Sequence, residues 1–165
     1  MTAKQAWFGL ATTLTGIVLV GCLTTPTTTM VIVDNRDSAC TIVTGGWDTA
    51  PTTDGNGSYG PDFLYHFADR ENVGIVRFTP NVPTAGSYAV YIYWSADPDR
   101  TTDQPVIVHD ATGDTTYHVN LQEHGHQWFE LGRHTFDAGT AGYIEFNTDT
   151  DDGYCNADAV RLVAD

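Results

Sequence analysis

The chain has one lysine, Lys4, four serines and no run of a dozen residues that keeps a helical apolar period. Each shortage excludes something. Without helical periodicity, helix content is low. None of Ser38, Ser58, Ser87 and Ser95 sits in a Gly-x-Ser-x-Gly elbow, and there is no His-Glu-x-x-His pair or phosphate loop, so the usual signatures of serine, zinc and nucleotide chemistry are missing. Scattered carboxylate pairs in so acidic a chain carry no glycosidase signal of their own. The reading is therefore a non-enzyme without cofactor. Basic side chains are few, 7 against 21 acidic ones, for a net charge of -14. Such a field repels phosphates and anionic headgroups, which excludes nucleic acid as a partner and leaves neutral glycans, cations or basic partners open.

Long apolar runs are also scarce. One occurs, Trp7 to Gly21 behind Lys4, and it closes on Leu19-Val20-Gly21-Cys22. At about 15 residues it is short for a membrane span, which needs roughly 20. Its charged start and small-residue end are those of an export signal. The box resembles the bacterial lipoprotein signal, which is cut before a cysteine that then receives lipid. Residues 1–21 are read as signal peptide and Cys22 as the lipidated N-terminus. The expected location is the cell envelope, at the outer membrane or cell surface, with membrane contact through the lipid. Plain secretion with cleavage near Thr24, or an uncleaved anchor helix, are the alternatives. Residues 22–30, with Thr24 to Thr29 reading TTPTTT, form a Thr/Pro-rich tether.

About 144 residues follow the signal, enough for one domain, here residues 31–165. With Lys4 gone, six arginines face the 21 acids. Assigning Cys22 to lipid leaves Cys40 and Cys155 as an even pair, and export predicts a disulfide between them worth about 3 to 5 kcal/mol.

From Met30 onward the chain alternates short β-type runs with Gly, Pro, Asp and Asn. The runs are Val31–Val33, Cys40–Thr44, Val73–Thr79, Ser87–Ser95, Val106–His109, Thr115–Leu121, Trp128–Leu131, His134–Phe136, Gly142–Phe146 and Ala157–Val163. Many short strands at this spacing predict an all-β, jelly-roll-like antiparallel β-sandwich. Pro51 to Asp62 is the longest stretch without a strand pattern and holds a sequon, Asn56-Gly57-Ser58. Period-2 alternation points Tyr88, Val90, Ile92 and Trp94 inward and Tyr91 and Tyr93 outward. Tyr117, Val119 and Leu121 also point inward, as do Val160 and Leu162, which puts Asp158 on the inward parity.

The order of landmarks carries a resemblance. Val33-Asp34-Asn35, Gly46-Trp47, Tyr59-Gly60-x-Asp62-Phe63, Arg77-Phe78-Thr79-Pro80-x-x-Pro83-x-Ala85-Gly86-x-Tyr88-x-Val90-Tyr91, Trp128-x-x-Leu131-Gly132-x-x-Phe136 and Ala157-Asp158-Ala159-Val160-Arg161-Leu162 follow one another. From about Val31 to Val163 the chain resembles the golvesin/xanthan-lyase carbohydrate-binding-like domain. The resemblance implies a jelly-roll-like module, usually appended to secreted enzymes such as polysaccharide lyases and cell-wall amidases, that binds glycans. Two features depart from the family pattern: the turn Asn120 to His126, and the cysteines Cys40 and Cys155 where apolar residues are commoner. No catalytic domain is read beside the module.

Aromatic rings cover the C–H face of a sugar, so the ligand-binding candidates are Tyr91 and Tyr93 from their outward parity and Tyr59 and Tyr65 flanking the long loop. Trp47 and Trp128 are further candidates, and core packing is the favoured reading for these two and for Trp94. His118, His124, His126 and His134 lack a matching Cys or spaced carboxylate and are read as solvated turn histidines rather than a zinc site. Asp149, Asp151 and Asp152 lack the order of a calcium loop. Asp34 and Asp158 are read as structural carboxylates that accept backbone N–H groups and lock the first and last strands together, with a calcium site as the alternative. The expected function is non-catalytic binding of a polysaccharide or cell-wall glycan. A structural or adhesive surface protein, self-assembling or binding other proteins, and an accessory subunit of a separate glycan-degrading enzyme are the competing readings. No oligomeric state follows from the sequence.

Overall fold

The computed structural model describes residues 28–52 and 57–165. Cys22, the signal segment, most of the tether and Asn56 of the sequon lie outside the described residues. Twelve strands follow in order: β1 (Met30–Asp34), β2 (Cys40–Thr44), β3 (Asp48–Pro51), β4 (Asp62–Phe67), β5 (Ile75–Phe78), β6 (Gly86–Tyr93), β7 (Gln104–Asp110), β8 (Gly113–Val119), β9 (Phe129–Phe136), β10 (Tyr143–Asn147), β11 (Tyr154–Ala157) and β12 (Ala159–Ala164). Among the described residues there is no helix, hence none long and apolar enough to cross a membrane.

The strands form a four-stranded sheet, β1-β12-β6-β9, a five-stranded sheet, β2-β5-β10-β7-β8, and a small third sheet, β11-β4-β3. Every ladder is antiparallel. The first strand lies on the last, with Val33 opposite Val160, so the ends of the domain close on each other. The core lies between the two large sheets. Alternation drives it: Tyr88, Val90, Ile92 and Trp94 are all buried, as are Val160 and Leu162 from β12 and Val106, Val108, Ile144 and Phe146 from the facing sheet. Trp94 satisfies its indole by donating to the Leu121 carbonyl at 3.1 Å, as a buried tryptophan must.

Three elements differ from the sequence reading. β3 and β4 fall where no strand is read, because Asp48-Thr49-Ala50-Pro51 has no apolar alternation and Phe63-Leu64-Tyr65 is apolar without a break. Trp128–Leu131 and His134–Phe136 merge into one strand, β9, carried through Gly132. Tyr154–Ala157 forms a separate strand of the third sheet, so Asp158 occupies the break between two sheets rather than a strand interior.

The expected disulfide is not formed. Cys40 opens β2 opposite Phe78, whereas Cys155 lies opposite His66 in the third sheet, and both are free thiols. Even parity of cysteines says nothing about which sheet each will join. Burial first, then neighbouring aspartates, push each thiol up to about 12, so neither is a ready nucleophile.

Candidate functional site

The site starts from a buried carboxylate. Asp158 is fully buried, and its Oδ2 accepts the Tyr59 N–H at 2.9 Å while its Oδ1 has no partner. Burial is the main reason its carboxyl is pushed up to about 7, and the negative neighbours Asp34 and Asp62 add to it. Asp34 is raised too, again by burial first; its Oδ1 accepts the Arg36 N–H at 3.1 Å. Neither carboxylate bridges the first and last strands. Their backbone ladder does that, extended by the Asn35 N–H donating to the Asp158 carbonyl at 2.8 Å. Gly60 passes so close that a Cβ there would stand 2.9 Å from Asp34 Oδ2, and Asn35 donates to Asp62 at 2.7 Å. The consequence is positional: Asp158 pins the loop that carries Tyr59. Among the described residues, no group of three or more His, Cys, Asp or Glu side chains is placed to hold a metal ion.

That loop delivers Tyr59, 41% exposed, onto the outer face of the four-stranded sheet. Its ring meets Trp128 at 5.0 Å and the edge of Tyr93 at 5.9 Å, and Tyr93 meets Trp128 edge-on at 5.4 Å. One strand position away, the Arg161 guanidinium lies over Tyr91 at 4.3 Å and over Trp128 at 4.6 Å. Pairing explains the juxtaposition, since Ile32, Arg161, Tyr91 and Glu130 form one cross-strand row. The Tyr91 hydroxyl donates to Glu130 Oε2 at 3.0 Å, which with burial raises the Tyr91 phenol. Burial and the Asp158 charge raise Tyr93, so both hydroxyls stay neutral donors at physiological pH.

Three of the four tyrosine candidates therefore converge. Tyr65 does not: it lies in the third sheet against Phe63 and Tyr154, beside a separate shallow hollow of about 210 Å³. The convergence is a tilted cluster rather than a flat platform, because Arg161 covers the face of Tyr91. Trp128, for which core packing is the favoured sequence reading, is instead a half-buried member of it, while Trp47 and Trp94 are buried. Arg161 went unnoticed in the sequence. Its outward parity is visible there, but its contact with Tyr91 depends on β12 lying beside β6.

A cleft of about 380 Å³ adjoins the cluster. It runs along the open side of the sandwich between the edge strands β8 and β9, floored by Trp94, Phe129 and Leu131 and rimmed by His118, Asn120, His124 and Glu130. Cluster and cleft meet at the start of β9, where Trp128 belongs to one and Phe129 to the other. The turn that departs from the family pattern forms the rim. His124 and His126 both hold left-handed backbones, φ 56° and 61°, uncommon for residues other than glycine, and the His124 ring stacks on Phe129 at 6.0 Å.

His134 corrects another expectation. It is no solvated turn residue but is buried in β9, with Nδ1 3.0 Å from Asp110 and Nε2 2.9 Å from the Tyr117 hydroxyl. With Nδ1–H donating to the carboxylate and Nε2 accepting from the phenol, this chain ties the two large sheets together. Burial raises Asp110, but the hydrogen bonds from Thr112 and His134 outweigh it and hold the carboxyl below its ordinary value.

The family model described as the golvesin C-terminal domain matches residues 31–164. A xanthan lyase of Bacillus sp. (strain GL1) is 41% identical over 138 residues, which cover 81% of this chain and 14% of the relative. The solved Paenibacillus xanthan lyase overlays with a TM-score of 0.77 at 40% identity, covering 83% of this chain and 13% of that one. The chain thus spans a small part of either lyase. A family 35 carbohydrate-binding module from Clostridium thermocellum overlays with a TM-score of 0.56 at 18% identity over 81% of this chain and 98% of that module. At that identity the likeness is one of fold.

Proposed function

The chain belongs to the golvesin C-terminal domain family, and on that footing we propose that it is a non-catalytic module that binds a polysaccharide or cell-wall glycan. The observation that carries this reading is the cluster of Tyr59, Tyr93 and Trp128, brought onto one sheet face by a loop pinned at Asp158. Such rings bury the C–H faces of sugars and leave phenol and indole donors to fix orientation. The adjoining cleft, with an apolar floor and a polar rim, extends the surface to more than one sugar unit. A fold shared with carbohydrate-binding modules supports the reading, as does a relative named for a polysaccharide.

A glycan array tests it. Retention abolished by competing sugar, and reduced at least tenfold in Tyr59→Ala/Trp128→Ala protein that melts like wild type, is the expected result. Self-association without sugar dependence would replace this reading with an adhesive one.

The same proposal places the module on a lipid anchor at the cell envelope, through cleavage before Cys22 and acylation of its thiol. The sequence box and the tether support it. Intact mass of the membrane-bound protein should show a diacylglycerol increment at Cys22, and Cys22→Ala should abolish it; a mature chain starting at Thr24 or later without the increment overturns the anchor.

A further inference from the structure

We infer that the ring cluster is built to take a sugar that carries a carboxylate, with Arg161 as its anion-reading residue. The inference rests on the glycan-binding proposal and adds the chemical class of the ligand.

Charge statistics make Arg161 unusual. With 21 acidic residues in the chain, Arg36, Arg70, Arg77, Arg100 and Arg133 each face a carboxylate within ion-pairing distance. Among the described residues Arg161 is the arginine that faces none. Its buried Nε has no hydrogen-bond acceptor. Instead its guanidinium lies over both the Tyr91 and the Trp128 rings. Ring contacts use the face of the guanidinium and leave the edge of the fork as its means of hydrogen bonding, and that edge matches a carboxylate in plane. Other carboxylates each have a partner of their own: Glu130 accepts from the Tyr91 hydroxyl, Asp165 pairs with Arg133, and Asp158 accepts from Tyr59. Arg133 is close enough to act on the Tyr91 phenol alongside Arg161 and Glu130, but it is paired with Asp165, so Arg161 is the cation on this face left without a carboxylate partner.

Bulk charge had pointed to neutral sugars. At physiological ionic strength the distant acids are screened beyond about 8 Å, while a guanidinium partly removed from water among rings is not. Local arrangement therefore decides the ligand's charge, and the surrounding acidity acts against polyanions that cannot place a carboxylate on this one spot.

The test uses an array of oligosaccharides, each printed as the carboxylated sugar and as its carboxyl-reduced counterpart, at about 0.15 M salt. At least one pair should show tenfold or greater preference for the carboxylated member. Arg161→Gln should erase that preference, and Arg161→Lys, which keeps the charge but not the fork, should retain only part of it. If Arg161→Gln lowers the melting temperature, Arg161→Lys carries the comparison, since its stem and charge remain among the rings. Equal retention of both members, or a preference that survives both substitutions, overturns the inference and leaves glycan binding standing. Retention of no member of any pair overturns both.

Discussion

Two buried side chains set opposite tests at the scale of the residue. Asp158 has its carboxyl raised from 3.8 to about 7 by burial. The folded chain therefore binds this proton more tightly than the unfolded chain. Its contribution is fully present below about pH 4 and is lost as pH rises through about 7, for a total on the order of 4 kcal/mol. Asp34, raised in the same direction, adds to the slope. Melting temperature should fall between pH 5 and pH 8, and Asp158→Asn, whose side-chain oxygen still accepts the Tyr59 N–H, should flatten that slope and melt higher at pH 8. A slope unchanged in the variant would mean that Asp158 does not titrate in the folded protein over this range. His134 works through its two partners: His134→Ala strands Asp110 and Tyr117 in the core, and should cost about 2–4 kcal/mol in denaturant unfolding. Tyr117→Phe removes the phenol partner of His134 Nε2 and should cost about 1 kcal/mol.

The element that matters most is the loop between β3 and β4. Its described end closes on itself through Thr52, which donates to the Pro61 and Gly60 carbonyls, and is tied to the strand ends by the hydrogen bond to Asp158 and the close approach to Asp34. Gly60→Ala pushes a methyl against the Asp34 carboxylate, so either that carboxylate gives way, losing its bond from the Arg36 N–H, or the loop shifts and takes Tyr59 with it. The expected outcome is a loss of roughly 1–2 kcal/mol in stability together with weakened glycan retention; a variant that is destabilised yet binds normally would show that the carboxylate gives way and the loop stays. Much about the elements was legible in the sequence. The inward set Tyr88, Val90, Ile92 and Trp94 follows from alternation alone, because burial on one face of a strand leaves a period of two. β4 was not legible, since Phe63, Leu64, Tyr65 and Phe67 put apolar side chains on both parities. Tyr91 and Tyr93 could be placed on the outward face by counting, but Trp128 could not, because it precedes its strand and obeys no parity.

For the molecule as a whole, charge and thiols give the tests. A net charge of -14 opposes compaction, so melting temperature should rise as salt is raised from about 10 mM to 1 M, through screening of that repulsion. Among the described residues no disulfide braces the sandwich: alkylation after unfolding without reductant should label both Cys40 and Cys155, and dithiothreitol should leave the melting temperature unchanged. Recovery of a peptide joining the two cysteines would overturn this.

What the sequence by itself determined is the β-sandwich, the faces of its long strands and the set of aromatic residues available for a sugar, because these follow from local spacing. Tertiary structure decided which of them meet. Arg161 and Tyr91 are 70 positions apart and touch because β12 pairs with β6, and Tyr59 joins them because a carboxylate 99 residues away holds its N–H. Pairing across such distances is settled by how whole sheets bury their inner faces, and no local pattern records it.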